Sequence, residues 1–204
     1  MLEKAFTGLA RQYTSDDELV NKLWNEISTA YSKRNRHYHT LQHLENLLIC
    51  LTDVKPQIRN WNAVLFALFY HDIVYNTVKK DNEEKSAALA AKRLVELNVP
   101  GYIIDDCCVA IIATKTHALS NDYDINLFTD ADLFILGVSW NVYEVYLKNV
   151  RKEYSIYPNL IYNPGRKKVL QHFLEMEKIY KTEYFFYKFE AQAKENLKRE
   201  LEQL

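Results

Sequence analysis

The chain has 204 residues, enough for one domain with a sizeable core or two small ones. With 48% hydrophobic and 26% charged residues it reads as globular rather than disordered, and four Gly and four Pro leave little punctuation for many short strands. A net charge of −1 excludes a global field that would recruit nucleic acid or an anionic membrane.

The opening stretch, MLEKAFTGLARQ, lacks the apolar core and cleavage site of a signal peptide. Three cysteines, with Cys107 and Cys108 adjacent, form neither a disulfide framework nor a zinc-ligand spacing, which suits a reducing compartment. The expectation is a cytoplasmic protein. Ser15 followed by Glu18 forms a capping box, and Leu19, Val20, Leu23, Trp24 and Ile27 share the apolar face of the helix behind it. RNRHYHTLQHLENLL, from Arg34 to Leu48, holds three of the six histidines; Leu41, Leu44, Leu48 and Leu51 continue a helical period until Pro56.

A third helix runs from Trp61 to Tyr70, apolar almost all round and therefore central; its AVLFALFY, the longest apolar run, is too short to span a bilayer. An alanine-rich helix from Asn82 to Leu97 follows, closed by NVPG. YIIDDCCVAIIATKTH has strand-forming residues but no period-two alternation, and reads as a buried helix. LFTDADLFILG is a shorter helix stopping at Gly137. Two or three longer helices, interrupted by IYPNLIYNPG at 156–165, complete a single all-α domain over residues 1–204.

Several of these residues suit chemistry. His39 and His43, four apart, share a face if helical, and can serve one metal or divide metal and proton between them. A polar helix entrance would show the same spacing. His71-Asp72 follows the most hydrophobic helix, where a desolvated pair is costly without a partner such as a divalent cation. The plainer reading is a helix end, with His on the dipole. Asp130 suits an N-cap with Leu133 and Phe134 beginning the helix, which leaves Asp132 in its first turn; one of the two acids is then only a cap. Lys115 and His117 could meet a phosphate or simply answer a helix C-terminus, and Glu83 with its neighbours could line a pocket or answer an N-terminus. Arg36 and Arg166 can fork onto phosphate. His37 and His172 read as structural.

The ordered set His43, His71-Asp72, Asp132 resembles the HD superfamily of metal-dependent phosphohydrolases. RHYHTLQH, FYHDIVYN, DNEEKSA, TKTH, DADLFILG, YLKNVRKEYS and GRKKVL look closest to its predicted hydrolases of unassigned substrate. The resemblance covers nearly the whole chain. It implies a helical bundle of the HD type with His43, His71, Asp72 and Asp132 as metal ligands. YHTLQH is similar to the Tyr-His-x-x-x-His stretch of cyclic-nucleotide phosphodiesterases, which implies His39 as proton donor and His43 as metal ligand; were His39 a ligand instead, His117 of TKTH is the next candidate for the proton donor.

The expected substrate is a small phosphoester, a nucleotide or phosphorylated metabolite, contacted by Arg36, Lys115 and Glu83. The expected cofactor is one or two divalent ions, with Mn, Fe, Co, Ni or Zn suiting the mixed N/O donors better than Mg. A nucleotide-binding regulatory module without turnover and a di-iron oxygenase of the HD type are the alternatives. Ile73, Val74, Tyr75 and Asn76 stand where the alarmone hydrolases carry Glu-Asp, which argues against that reaction. The chain is also shorter than a cyclic-nucleotide phosphodiesterase domain.

Overall fold

The computed structural model describes residues 1–204 and is 72% helix with no strand, so the all-α expectation holds. The chain divides into two compact units, Met1–Thr129 and Asp130–Leu204. None of its helices is long and apolar enough to cross a membrane.

The first unit is organised around its most apolar helix. After α1 (Leu2–Ala10), α2 (Asp17–Tyr31) and α3 (Leu41–Val54) comes α4 (Trp61–Tyr70), in which every residue from Ala63 to Tyr70 is buried. A helix without a polar face is stable only when surrounded, and α4 packs against α1, α3, α5 (Asn82–Glu96) and α6 (Gly101–Ala113). Phe69 meets Phe6 of α1 edge-on at 5.2 Å and Trp24 of α2 at 6.4 Å. The start of α4 is held twice: Asn60 accepts from the Ala63 N–H at 3.2 Å, and buried Asp124 accepts from the Arg59 and Asn60 N–H groups at 3.0 and 2.8 Å. Each such bond satisfies a donor that the helix itself cannot, worth about 1 kcal/mol.

Two local expectations are corrected. Asp16, not Ser15, caps α2, accepting from the Leu19 N–H at 2.9 Å. Helix α3 starts at Leu41, so His39 precedes it and does not share a helical face with His43; Pro56 then falls in a 3-10 turn, Lys55–Gln57.

Helix α5 ends as NVPG suggests. Asn98 has φ +62°, its N–H reaches the Val95 carbonyl at 3.0 Å, and the Val99 N–H reaches the Leu94 carbonyl at 3.0 Å. This is the paired closure of a left-handed helix stop, and Leu94 and Val99 at its two ends are both buried. Arg93 of α5 forks onto both carboxylate oxygens of Glu26 in α2 at 2.8 Å.

Helix α7 (Tyr123–Asp132) begins in the first unit and ends in the second. Asp130 therefore lies in the last turn of a helix and does not cap the start of another. A 3-10 turn, Leu133–Gly137, follows, then α8 (Trp140–Glu153), α9 (Asn159–Glu175) and α10 (Glu183–Gln203). The expected break at 156–165 lies largely inside α9, which carries Pro164 within it. Gly137 lets α10 come close: a Cβ there would sit 2.5 Å from Phe189 Cβ and 2.6 Å from its carbonyl oxygen. Arg166 does not project as a phosphate clamp. It forks onto buried Glu200 at 2.7 and 2.9 Å, and Tyr143 donates to the same carboxylate at 2.6 Å.

Candidate metal centre

The centre starts from the end of α4. His71 is the C-cap residue and 1% exposed; its backbone N–H continues the helix to the Ala67 carbonyl at 2.8 Å. Its ring Nδ1 lies 3.0 Å from the Leu68 carbonyl. A carbonyl can only accept, so Nδ1 carries a proton, and in the neutral ring Nε2 presents the lone pair. The helix-end reading and the ligand reading thus coexist in one side chain: the bond that caps α4 also fixes the tautomer a metal ligand needs.

His43, in the first turn of α3 and 3% exposed, faces that lone pair with its own Nε2 at 3.1 Å. Two ligands bonded at about 2.0–2.1 Å lie about 3.3 Å apart on a tetrahedral ion and about 2.9 Å apart on adjacent octahedral positions. The observed separation falls between these values. Phe128 of α7 closes against His71, edge to face, with ring centroids 5.9 Å apart.

Carboxylates complete the donors. Asp72 Oδ2 is 3.2 Å from His71 Nε2 and 3.8 Å from His39 Nε2. Its N–H donates to the Tyr31 hydroxyl at 3.1 Å. One ligand atom each from His43, His71 and Asp132 lies within 4.8 Å of the others, so this group could hold a metal ion. Asp72 stands beside this trio, next to His71 and His39.

The structure separates the two aspartates that the sequence could not. Asp130 is fully buried and accepts from the Lys181 N–H at 2.9 Å, the Lys181 Nζ at 3.0 Å, and the Thr182 N–H and hydroxyl at 2.8 Å. That carboxylate is consumed by the chain entering α10. Asp132 is the one grouped with the histidines.

His39 is half-buried beside the centre, its side chain 21% exposed, with its ring 4.3 Å from that of Tyr75 and 5.8 Å from that of His43. Arg36, expected on substrate, is 5% exposed and donates instead to two backbone carbonyls, those of His39 at 3.2 Å and Ile73 at 3.0 Å. Lys115 is exposed and ties the end of α6 to α5, bonding Glu84 and the Lys80 carbonyl at 2.9 Å. The pairing holds the Glu84 carboxyl below and the Lys115 ammonium above their usual ranges. Lys115 therefore has a structural partner in Glu84, while Glu83 is half-buried in the same turn. His117 follows the turn after α6, with φ +51°, and is outside the metal-ligand group. His37 is exposed.

Sequence reasoning missed Tyr31 and Tyr75. Both read as ordinary aromatic positions, and only Tyr75, three residues after Asp72, had proximity to suggest it. The chain matches no family model, no curated protein and no solved structure.

Proposed function

We propose that the chain hydrolyses a small phosphoester, a nucleotide or phosphorylated metabolite, at a divalent-metal centre of the HD type built on His43, His71, Asp72 and Asp132. The observation that carries this reading is the pair of buried imidazoles facing each other through Nε2 at 3.1 Å, with carboxylates beside them. Burying such groups is costly without a shared partner, and neutral imidazole and carboxylate are ligands for the same ions. A divalent ion held there supplies Lewis acidity toward a phosphoryl oxygen.

The remaining work belongs to the chain. His71 holds its neutral ring in the tautomer that offers Nε2 as a ligand, through its Nδ1 bond to the Leu68 carbonyl. His39, partly exposed and 3.8 Å from Asp72, is oriented by that carboxylate and donates a proton to the leaving oxygen. Leu44, Leu47 and Phe128 are buried and keep this part of α3 and α7 dry, which strengthens electrostatic contacts made within it.

A panel of phosphomonoesters and nucleotides, assayed with several divalent ions, tests the reading. Phosphate release is expected to stop on chelation and to return with Mn²⁺ or Co²⁺ better than with Mg²⁺. His43→Ala should lose metal and turnover together. His39→Ala should keep its metal and lose about 10²- to 10⁴-fold in turnover, the worth of a general acid. Thermal stabilisation by nucleotides with no phosphate release under any metal would instead make the chain a binding module.

A further inference from the structure

The residues around Arg36 define a part of the centre that the ligand set leaves out. The guanidinium lies 4.7 Å from the ring centroid of Tyr31 and 5.3 Å from that of Tyr75. One terminal nitrogen donates to the carbonyl of His39 and the other to the carbonyl of Ile73, residues 37 positions from Arg36 in the second case. Tyr31, under one face of the cation, accepts the Asp72 N–H through its hydroxyl; Tyr75, near the cation as well, lies against the His39 ring.

Each of these four side-chain contacts leads to His39, or to Asp72 or its neighbour Ile73, directly or through a tyrosine. The segment carrying His39 lies outside regular helix, between the end of α2 and the start of α3, and the segment after Asp72 is likewise a loop. Neither has a hydrogen-bond ladder of its own to set the position of its functional side chain. A planar cation with donors in a fixed fork can bind two carbonyls at once while its faces pack on aromatic rings, which a lysine ammonium cannot do.

We infer that Arg36 is a positioning residue of the centre: it joins the His39 segment to the Asp72 segment and sets His39 against Asp72, rather than contacting substrate. The inference rests on the function proposed above, but its metal-binding consequence is measurable without turnover.

The test uses the full chain, its Arg36→Met and Arg36→Lys variants, and Tyr31→Phe. Each is loaded with Co²⁺, and Co²⁺ affinity and visible absorption are recorded together with kcat and KM on p-nitrophenyl phosphate. Arg36→Met is expected to weaken Co²⁺ binding by about 10- to 100-fold, the usual effect of removing a partner that orients a ligand. Its absorption bands should shift, and the remaining activity should show a lower kcat at little-changed KM. Arg36→Lys should not restore these properties, because it keeps the charge but loses the fork.

Wild-type Co²⁺ affinity and spectrum in Arg36→Met overturn the inference. So does a raised KM at unchanged kcat that Lys repairs, because that pattern marks a substrate contact. If Arg36→Met fails to fold, Tyr31→Phe decides: it removes only the hydroxyl that accepts from Asp72, and unchanged Co²⁺ binding in it overturns the linkage. A wild-type chain that holds Co²⁺ but releases no phosphate overturns the proposed reaction while the Co²⁺ comparison still decides the role of Arg36. A wild-type chain that takes up no Co²⁺ overturns both.

Discussion

At the scale of single residues, burial and partners separate groups that look alike on paper. Asp130 and Asp132 stand two apart in the last turn of α7. Removing the Asp130 carboxylate strands Lys181, whose side chain is 5% exposed, together with two N–H groups and a hydroxyl. Asp130→Ala should therefore cost about 3–5 kcal/mol, as expected when one partner of a buried pair is removed. Asp132→Ala should cost less stability than Asp130→Ala and abolish metal retention. Denaturant unfolding and metal analysis on the two variants separate the roles, and a destabilised Asp132→Ala with full metal would reverse them. Tyr70 gives the opposite case. Its hydroxyl is buried with no hydrogen-bond partner, so Tyr70→Phe should stabilise the chain by about 1 kcal/mol near neutral pH. Burial pushes this phenol far above its usual value. The unfolded chain then loses the proton first, so the folded form is at no disadvantage below the ordinary phenol pKa of about 10 and loses stability above it. The decline in melting temperature beyond that pH should be shallower in Tyr70→Phe; an equally steep decline would assign it to other groups.

At the scale of elements, one close approach organises the second unit. The 3-10 turn Leu133–Gly137 and α10 pack together, and Gly137 leaves no room for a side chain against the Phe189 backbone. Gly137→Ala must push α10 away or bend the turn, and should cost about 1–3 kcal/mol, the range for overpacking. A Gly137→Ala variant as stable as wild type would show that α10 moves freely. Much of this architecture was legible beforehand. Apolar runs located α4 at Trp61–Tyr70, Pro56 marked the stop of α3, and NVPG marked the stop of α5. What misled was local chemistry with more than one use. Pro164 and Gly165 read as a break, yet α9 runs through both, with Pro164 inside its second turn, where the missing N–H leaves one intrahelical bond unmade. At the centre, His71 was legible because a His-Asp pair after a very apolar helix demands a partner, whereas His43 was singled out by its spacing from His39 and its place in the ordered set. The choice between Asp130 and Asp132 was not, because it depends on Lys181 and Thr182, some fifty positions later. The carbonyls that take up Arg36 were equally invisible, since every residue has one.

At the scale of the molecule, the imidazoles of the centre come from α3 and from the end of α4, helices that pack on each other in the first unit. An ion bound by both binds only the folded chain. Co²⁺ at 100 times its dissociation constant should therefore add about 2.7 kcal/mol of stability. The rise in melting temperature should disappear in His71→Ala; a rise that persists would place the ion elsewhere. The second unit holds a different contrast. Helix α9 has 17 residues but buries only Leu170, while Leu160 and Ile161 are 90% and 60% exposed. Helix α4 buries eight of its ten residues. With Leu170 its only buried residue, α9 is held chiefly by the Arg166–Glu200 pair and should lose less on detaching than α4, so its backbone amides should trade hydrogen for deuterium through brief local openings. Those of α4 should wait for global unfolding, so that isotope labelling in native buffer would mark α9 within the time that leaves α4 untouched.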